Sequence, residues 1–473
     1  MTGFENSEHT PAKSGWCESI IQYDRLVVAV MAILAAGTWY VSEPIIFTND
    51  SFGYVYAAKY IAGVPAHGVP YYRMPLFPIL LVVTGVARFS TFFWFVLTQT
   101  MLGIAMVMVF HAGLRTYSRT ASLVATIVFT FTFVPFVYSK SVMTEQLYLS
   151  GLILCLSSTL NFLHSGRRFG LLLVGASVLV MTLTRVQGIF VGFLVFPFLL
   201  ISRPQFWKPV LAVSAAVALT VSAYAFAYSA QVRKHELFRS ESATEASLSN
   251  SIGKYLFMVP YLDAPRYFGW EIVQRENGPA SNRLFRLIEE KPPTLDQWWA
   301  IWQTLDKDLG VVESNNLLFR VTLEALIAHP FKAVAVYGHN LVVSTFRLSS
   351  SYVWKHPAVT IDDIRLNNEF EKSGDQSSIT LLASLVNPLF HTALIFTTLL
   401  VVLTIGPHGS AWAFCLSLYL YNLFAIAASG APEGRIVFYA LPLLLAALAV
   451  EQAKPWLLRW VHQSRFKAVP HPL

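Results

Sequence analysis

The chain has 473 residues, 55% hydrophobic and only 13% charged, with a mean hydropathy of +0.52. Soluble domains carry about 25% charged residues, so the composition excludes an ordinary soluble enzyme and describes an all-α polytopic membrane protein. The formal charge of +7 comes without a polybasic run or an RNA-binding signature, which excludes nucleic acid as a partner and points to Lys and Arg in cytoplasmic loops.

Residues 1–24 are polar, and the apolar run that follows is longer than a signal-peptide core and lacks a small-residue cleavage site. It reads as an uncleaved first span near 25–46, about 20 apolar residues being enough to cross the hydrocarbon core. Thr48, Asn49 and Asp50 follow at once, three good helix N-caps, and the helix they start ends at Gly63-Val64-Pro65. A carboxylate at that depth is costly unless paired, hydrated or used, so Asp50 is a functional candidate, with helix capping as its bland alternative. Tyr54, Ala57 and Ile61 share its helix face. Arg73 follows in Tyr71-Tyr72-Arg73, as a ligand for a substrate anion or as an interfacial anchor. Residues 75–87 are apolar but short, which fits an interfacial or re-entrant helix.

Further spans are expected near 93–114, 120–138, 145–164, 169–185, 187–203 and 208–229. Their short connectors alternate, and one set carries Arg115, Arg119, Arg167, Arg168, Arg203 and Lys208. With those inside, the loops 47–92, 139–144 and 230–379 lie outside. At the mouth of one outer-facing span stands Lys140-Ser-Val-Met-Thr144-Glu145. There Thr144 caps the helix and Glu145 complements its dipole, or Glu145 serves a site. Lys140 contacts a phosphate or snorkels. Arg185, in Leu183-Thr184-Arg185-Val186-Gln187-Gly188, is a charged turn residue or faces a phosphate.

Residues 230–379 are more polar and make an extracytoplasmic region, with a segment rich in Ser, Glu and Asn at 239–253. Residues 318–347 have Leu, Val and Phe at helical spacing, broken at His329-Pro330; an amphipathic helix on the outer surface fits better than an eleventh span. Three more spans are expected near 380–404, 411–430 and 435–453, which brings the total to ten. Pro432-Glu433-Gly434-Arg435 opens the last of them, and a guanidinium there suits bidentate phosphate binding, or a pair with Glu433. Cys17, Cys155 and Cys415 stand alone, with no CxxC motif and no His at ligand spacing, so they form neither a disulfide frame nor a zinc site. No phosphate-cradling glycine loop or serine-nucleophile elbow occurs, which argues against an ATP-driven pump and a standard hydrolase.

The order of residues over 45–190, returning at 430–445, resembles the GT-C glycosyltransferases, in the group of protein O-mannosyltransferases and aminoarabinose lipid A transferases. The resemblance rests on Thr48–Gly63, Tyr72–Pro78, Glu145 and the Leu-Thr-Arg185 turn with Gly188. It implies a GT-C-like bundle of residues 1–229 with a catalytic first external loop, an extracytoplasmic region 230–379, and C-terminal helices and tail 380–473. It also implies transfer of a sugar from a polyprenyl-phosphate donor to a glycan, lipid or protein acceptor, with inversion. Asp50 is then the general base, Glu145 a second acid, and Arg435, Lys140, Arg73, Tyr54, Arg185 and Glu433 contact substrates. Many relatives have a second acid beside the base, but Asn49 and Ser51 flank Asp50 here. That weakens a divalent ion (Mg, Mn, Ca or Zn) held by Asp50 and Glu145. The expected location is a bacterial inner membrane with the site on its outer side. The alternatives are a secondary transporter or flippase for a lipid-linked sugar, and an oligosaccharide ligase or polymerase. Paired halves, which transporters usually show, are missing from the sequence.

Overall fold

A computed structural model describes residues 23–42, 45–47, 49–64, 74–89, 91–131, 133–136, 138–185, 187–232, 272–288, 298–335, 354–355, 413–415 and 417–418. Its membrane part is built from α1 (Asp24–Ser42), α5 (Phe93–Arg115), α6 (Arg119–Phe131), α7 (Glu145–Ser165), α8 (Arg168–Thr184), α9 (Gln187–Ser202) and α10 (Trp207–Val232). Between α1 and α5 lie α2 (Asn49–Ile61), α3 (Leu76–Val83) and α4 (Val86–Phe89). The 23 residues of α5 reach about 34 Å at 1.5 Å per residue, enough for the hydrocarbon core. Among the described residues four stretches are long and apolar enough to cross a membrane, at 24–41, 93–115, 145–165 and 204–224, and three shorter apolar helices run at 122–131, 168–184 and 188–202.

The surface of these helices is largely apolar, and their apolar core also encloses polar side chains. Leu26, Leu34, Phe193, Ile201 and Leu219 are exposed, whereas Gln99, Thr126, Thr159 and Ser177 are fully buried. Water would favour the opposite arrangement; lipid favours this one, because the exposed hydroxyls of Thr38, Thr98 and Thr220 bond back to carbonyls of their own helices. Helix α7 lies at the centre, packed on α5 and α8. Close approach there depends on small residues: a Cβ on Gly113 would stand 2.6 Å from the Ser157 Cβ.

Successive helices alternate in direction, so the basic connectors collect at one end. There Asp24, itself buried, takes Arg115 Nε at 2.7 Å, Arg119 Nε at 3.2 Å and His111 Nε2 at 3.4 Å, all on Oδ2. This cluster ties the start of α1 to the end of α5 and the start of α6. Near it Arg203 donates to the Leu163 carbonyl and Tyr117 Oη to the Leu160 carbonyl at 3.1 Å. Burial raises the Tyr117 phenol, with the Cys415 thiol adding to it and Arg203 opposing it.

Two spans differ from expectation. The first ends at Ser42, and Ile46–Phe47 pairs antiparallel with Trp354–Lys355 as β1 and β2, a two-residue ribbon. The span expected over 120–138 is a helix of 13 residues ending at Phe131, followed by turns through Phe136, with Phe133 at φ 56. Pro135 contributes to the difference, since it has no N–H to bond back to the Phe131 carbonyl and disfavours helical geometry at Val134. Residues 75–87 do form short helices, α3 and α4, joined at Gly85, whose φ is 82. The spans expected at 380–404 and 435–453, and nearly all of 411–430, lie outside the described residues, as do 239–253 and 336–347.

In the polar region α11 (Pro279–Leu287), α12 (Trp298–Leu309) and α13 (Val311–Ala328) pack around Leu284, Leu305, Leu318 and Val321. Glu324 of α13 caps α11, accepting from Ala280 N at 2.9 Å, Ser281 N at 2.7 Å and Ser281 Oγ at 2.8 Å. Gly278 makes room for it, since a Cβ there would stand 2.4 Å from the Glu324 Cδ. Burial raises the Glu324 pKa, but the backbone amides of Ala280 and Ser281, the Ser281 hydroxyl and Arg320 outweigh it and hold the group below its ordinary 4.5. A lowered carboxylate stabilises the fold above its unfolded pKa, and that stability is lost as pH falls through the folded one. Glu324→Gln is therefore expected to lower stability by about 1 kcal/mol at pH 7. Thermal melts of the two proteins should converge below the ordinary pKa of 4.5; a gap that persists in acid would remove the capping account.

Candidate active site

At the end of the bundle away from the basic connectors, three sequence-distant segments meet. The first is α2, whose backbone places Asn49 and Asp50 as its first two residues and Tyr54 one turn further on. The helix stops where expected, with Gly63 at φ 69, a left-handed conformation that glycine adopts without a steric cost. Tyr54 is buried against Phe77 of α3, rings edge-on at 5.0 Å, and Phe77 against Phe95 of α5 at 5.8 Å. These aromatics, with Val55, Ala58 and Leu81, seat α2 on the bundle.

The second segment is the start of α7. The Tyr54 hydroxyl lies 3.4 Å from Thr144 Oγ1. One of the two readings made Thr144 the cap of α7, but its side chain makes no capping bond; its hydroxyl faces Tyr54 instead. Glu145, the first residue of α7, is fully buried. The third segment is the end of α8, where Arg185 sits in extended conformation at the C-cap. Its Nη1 stands 2.8 Å from Glu145 Oε1. The contact is an ion pair rather than an aligned hydrogen bond, and Glu145 Oε2 has no hydrogen-bond partner among the described residues. Each charge also complements its own helix: the carboxylate stands at the N-terminus of α7 and the guanidinium at the C-terminus of α8.

Gly188 explains how Arg185 is aimed. Its N–H bonds to the Arg185 carbonyl at 2.9 Å, and a Cβ there would stand 2.3 Å from the backbone of Met181 and Thr182. The turn can therefore fold tightly onto α8 only without a side chain. Gly188→Ala is expected to shift that turn, lowering thermal stability by about 1–3 kcal/mol. An alanine variant with an unchanged melting curve would show that the turn relaxes freely.

Lys140 Nζ donates to the Tyr40 carbonyl at the end of α1 and lies 4.7 Å from the Tyr40 ring centroid, so its described contacts fasten the loop before α7 to α1. Gln146, unnoticed in the sequence, is buried and donates from Nε2 to the Pro135 carbonyl at 2.7 Å and the Gln99 carbonyl at 3.2 Å. It pins the turn that delivers Glu145. Gln99 and the buried Lys59 of α2 were also missed. A polar side chain within an apolar helix was the available signal for Gln99. Arg73, Glu433 and Arg435 lie outside the described residues.

The donors do not make a metal site by themselves. Glu145 already faces a fixed cation, and among the described residues no group of three or more His, Cys, Asp or Glu converges. Divalent calcium or magnesium takes at least six oxygen ligands. The arrangement instead provides a carboxylate-bearing helix N-terminus, a buried acid and a guanidinium at one end of an apolar bundle. That set can take a proton and hold an anion.

No protein-family model and no curated protein matches the chain. Among solved structures it is similar to the archaeal oligosaccharyltransferase AglB from Archaeoglobus fulgidus, in complex with an inhibitory peptide and a dolichol-phosphate. The identity is 12% and the TM-score 0.43, covering 96% of this chain; the chain spans 53% of the length of that protein. It is also similar to ArnT from Cupriavidus metallidurans bound to undecaprenyl phosphate, at 14% identity and a TM-score of 0.38, covering 93% of this chain and 78% of that one. The apo state of that ArnT gives 13% and 0.36, covering 93% and 77%.

Proposed function

We propose that the chain is an integral-membrane glycosyltransferase of GT-C type that moves a sugar from a polyprenyl-phosphate donor to a hydroxyl-bearing acceptor. The observation that carries this reading is the docking of α2, with Asp50 in its first turn, onto the start of α7 through Tyr54 and Thr144, beside the Glu145–Arg185 pair. The resemblance of the same segments to GT-C enzymes supports it independently.

In this mechanism Asp50 takes the proton of the acceptor hydroxyl as its oxygen attacks the anomeric carbon. The bond from that carbon to the phosphate oxygen breaks, and the lipid phosphate leaves as an anion. A single displacement inverts the anomeric configuration. The leaving anion needs countercharge as it forms, which Arg185, positioned by Glu145, supplies together with Arg435, Lys140 and Arg73. Tyr54 flanks the sugar, and Glu433 orients Arg435. The collection of Arg115, Arg119, Arg203 and Lys208 at the opposite end supports an extracytoplasmic site.

The test is transfer of label from a panel of radiolabelled polyprenyl-phosphate sugars by purified protein in proteoliposomes, with and without divalent ions. Labelled product from one donor is the expected result. Movement of intact lipid-linked sugar across the vesicle, with no transfer on any donor, would replace the enzyme by a flippase.

A further inference from the structure

Helix α13 has two apolar faces. Leu317, Leu318, Val321 and Ala325 are buried against α11 and α12. On the other side Phe319, Leu323 and Ile327 recur every fourth residue, and Phe331 and Val334 continue the line past the helix end at His329. Their exposures rise from 39% at Phe319 through 46% and 71% to 90% at Phe331, with Val334 at 71%. At helical rise the stripe extends about 22 Å. Soluble surfaces rarely leave so large an apolar patch uncovered.

Charge selects the occupant. The two acids of α13 are drawn away from the stripe: Glu324 turns inward to the amides of α11, and Glu313, half-exposed at the start of the helix, is paired with Arg283 at 2.5 Å. Arg320 and Lys332 remain exposed beside the apolar line, as basic side chains do when they reach for phosphate headgroups. Among the described residues four stretches are fit to cross a bilayer, so a lipid surface is always at hand. From the bare stripe, the withdrawn acids and the flanking cations we infer that α13 and the residues to Ala335 lie in the headgroup–acyl boundary, with Ile327 and Phe331 inserted. The polar region is thereby fastened to the membrane along a helix that does not cross it. This inference is independent of the transferase reading.

The full-length protein tests it, in a Cys17→Ser background, since Cys155 and Cys415 are buried. A fluorescent nitrobenzoxadiazole label goes on Ile327→Cys, on Phe331→Cys and, as a control, on Asp308→Cys in the last turn of α12, where the residue is exposed. The vesicles are phosphatidylcholine and phosphatidylglycerol, with brominated acyl chains in half the lipid. Labels at 327 and 331 are expected to be quenched about twofold or more by the brominated chains and to resist aqueous iodide, while the label at 308 behaves oppositely. Iodide quenching at 327 and 331 equal to that at 308 would overturn the inference, because the stripe would then face water. Protection from both quenchers would overturn it too, showing that protein covers the stripe.

Discussion

Asp50→Asn is expected to lower the rate of sugar transfer by about 10²–10⁴-fold, the range that a positioned general base contributes, while leaving the melting temperature unchanged. The asparagine separates the two readings of this residue. Its amide caps a helix about as well as a carboxylate does, so if Asp50 merely starts α2 the variant should turn over normally. An amide does not accept the acceptor's proton at neutral pH, so if Asp50 is the base the rate must fall. The donor KM should change little, because Asp50 acts on the acceptor oxygen and not on the phosphate. Initial rates with labelled donor, alongside a thermal melt, are sufficient. Normal turnover by a folded asparagine variant would leave the proposed chemistry without its base.

The parts of this fold that depend on local chemistry were legible. Length and apolarity placed the helices around 93–114, 145–164 and 169–185 within a residue or two of α5, α7 and α8. Residue types bounded α2 for reasons contained within that segment: Thr48, Asn49 and Asp50 marked where a helix could begin, and Gly63 takes the left-handed turn at its end. What failed depended on tertiary contact or on a single breaker. Pro135 helps to shorten α6, a local signal that the apolar run concealed. Thr144 has the right residue type for a cap, but the approach of Tyr54 from α2 gave its hydroxyl another neighbour. No local pattern contains that contact, because 90 residues separate the two.

The meeting of Glu145 and Arg185 was within reach of the sequence and was not drawn from it. The link from α7 to α8 is Gly166-Arg167, with Gly166 in the left-handed C-cap conformation and its N–H bonded to the Phe162 carbonyl at 2.8 Å. A link that short makes the two helices antiparallel neighbours, and equal walks back from it bring Glu145 level with the residues just after α8. Considered one at a time, an acid at a helix start and an arginine in a turn each keep two meanings. Considered as an antiparallel hairpin, they face each other as a pair.

That pairing carries the second large expectation, and it is asymmetric. Arg185→Leu strands a fully buried carboxylate whose Oε2 already lacks a described hydrogen-bond partner, and is expected to cost about 3–5 kcal/mol. Glu145→Gln leaves Arg185 with a side chain 23% exposed, able to reach water, and should cost about 1–2 kcal/mol. Replacing both by leucine removes both desolvation penalties, so the double variant should be more stable than Arg185→Leu alone, which a thermal-shift series in detergent would detect. Transfer separates function from architecture. If the pair only fastens α7 to α8, activity should return with stability in the double variant. If Arg185 supplies countercharge to the departing phosphate, the double variant should fold and remain inactive, since leucine cannot stabilise the leaving anion. Recovery of both together would reduce the pair to a structural clasp and shift the phosphate's countercharge to the other basic residues of the proposed site.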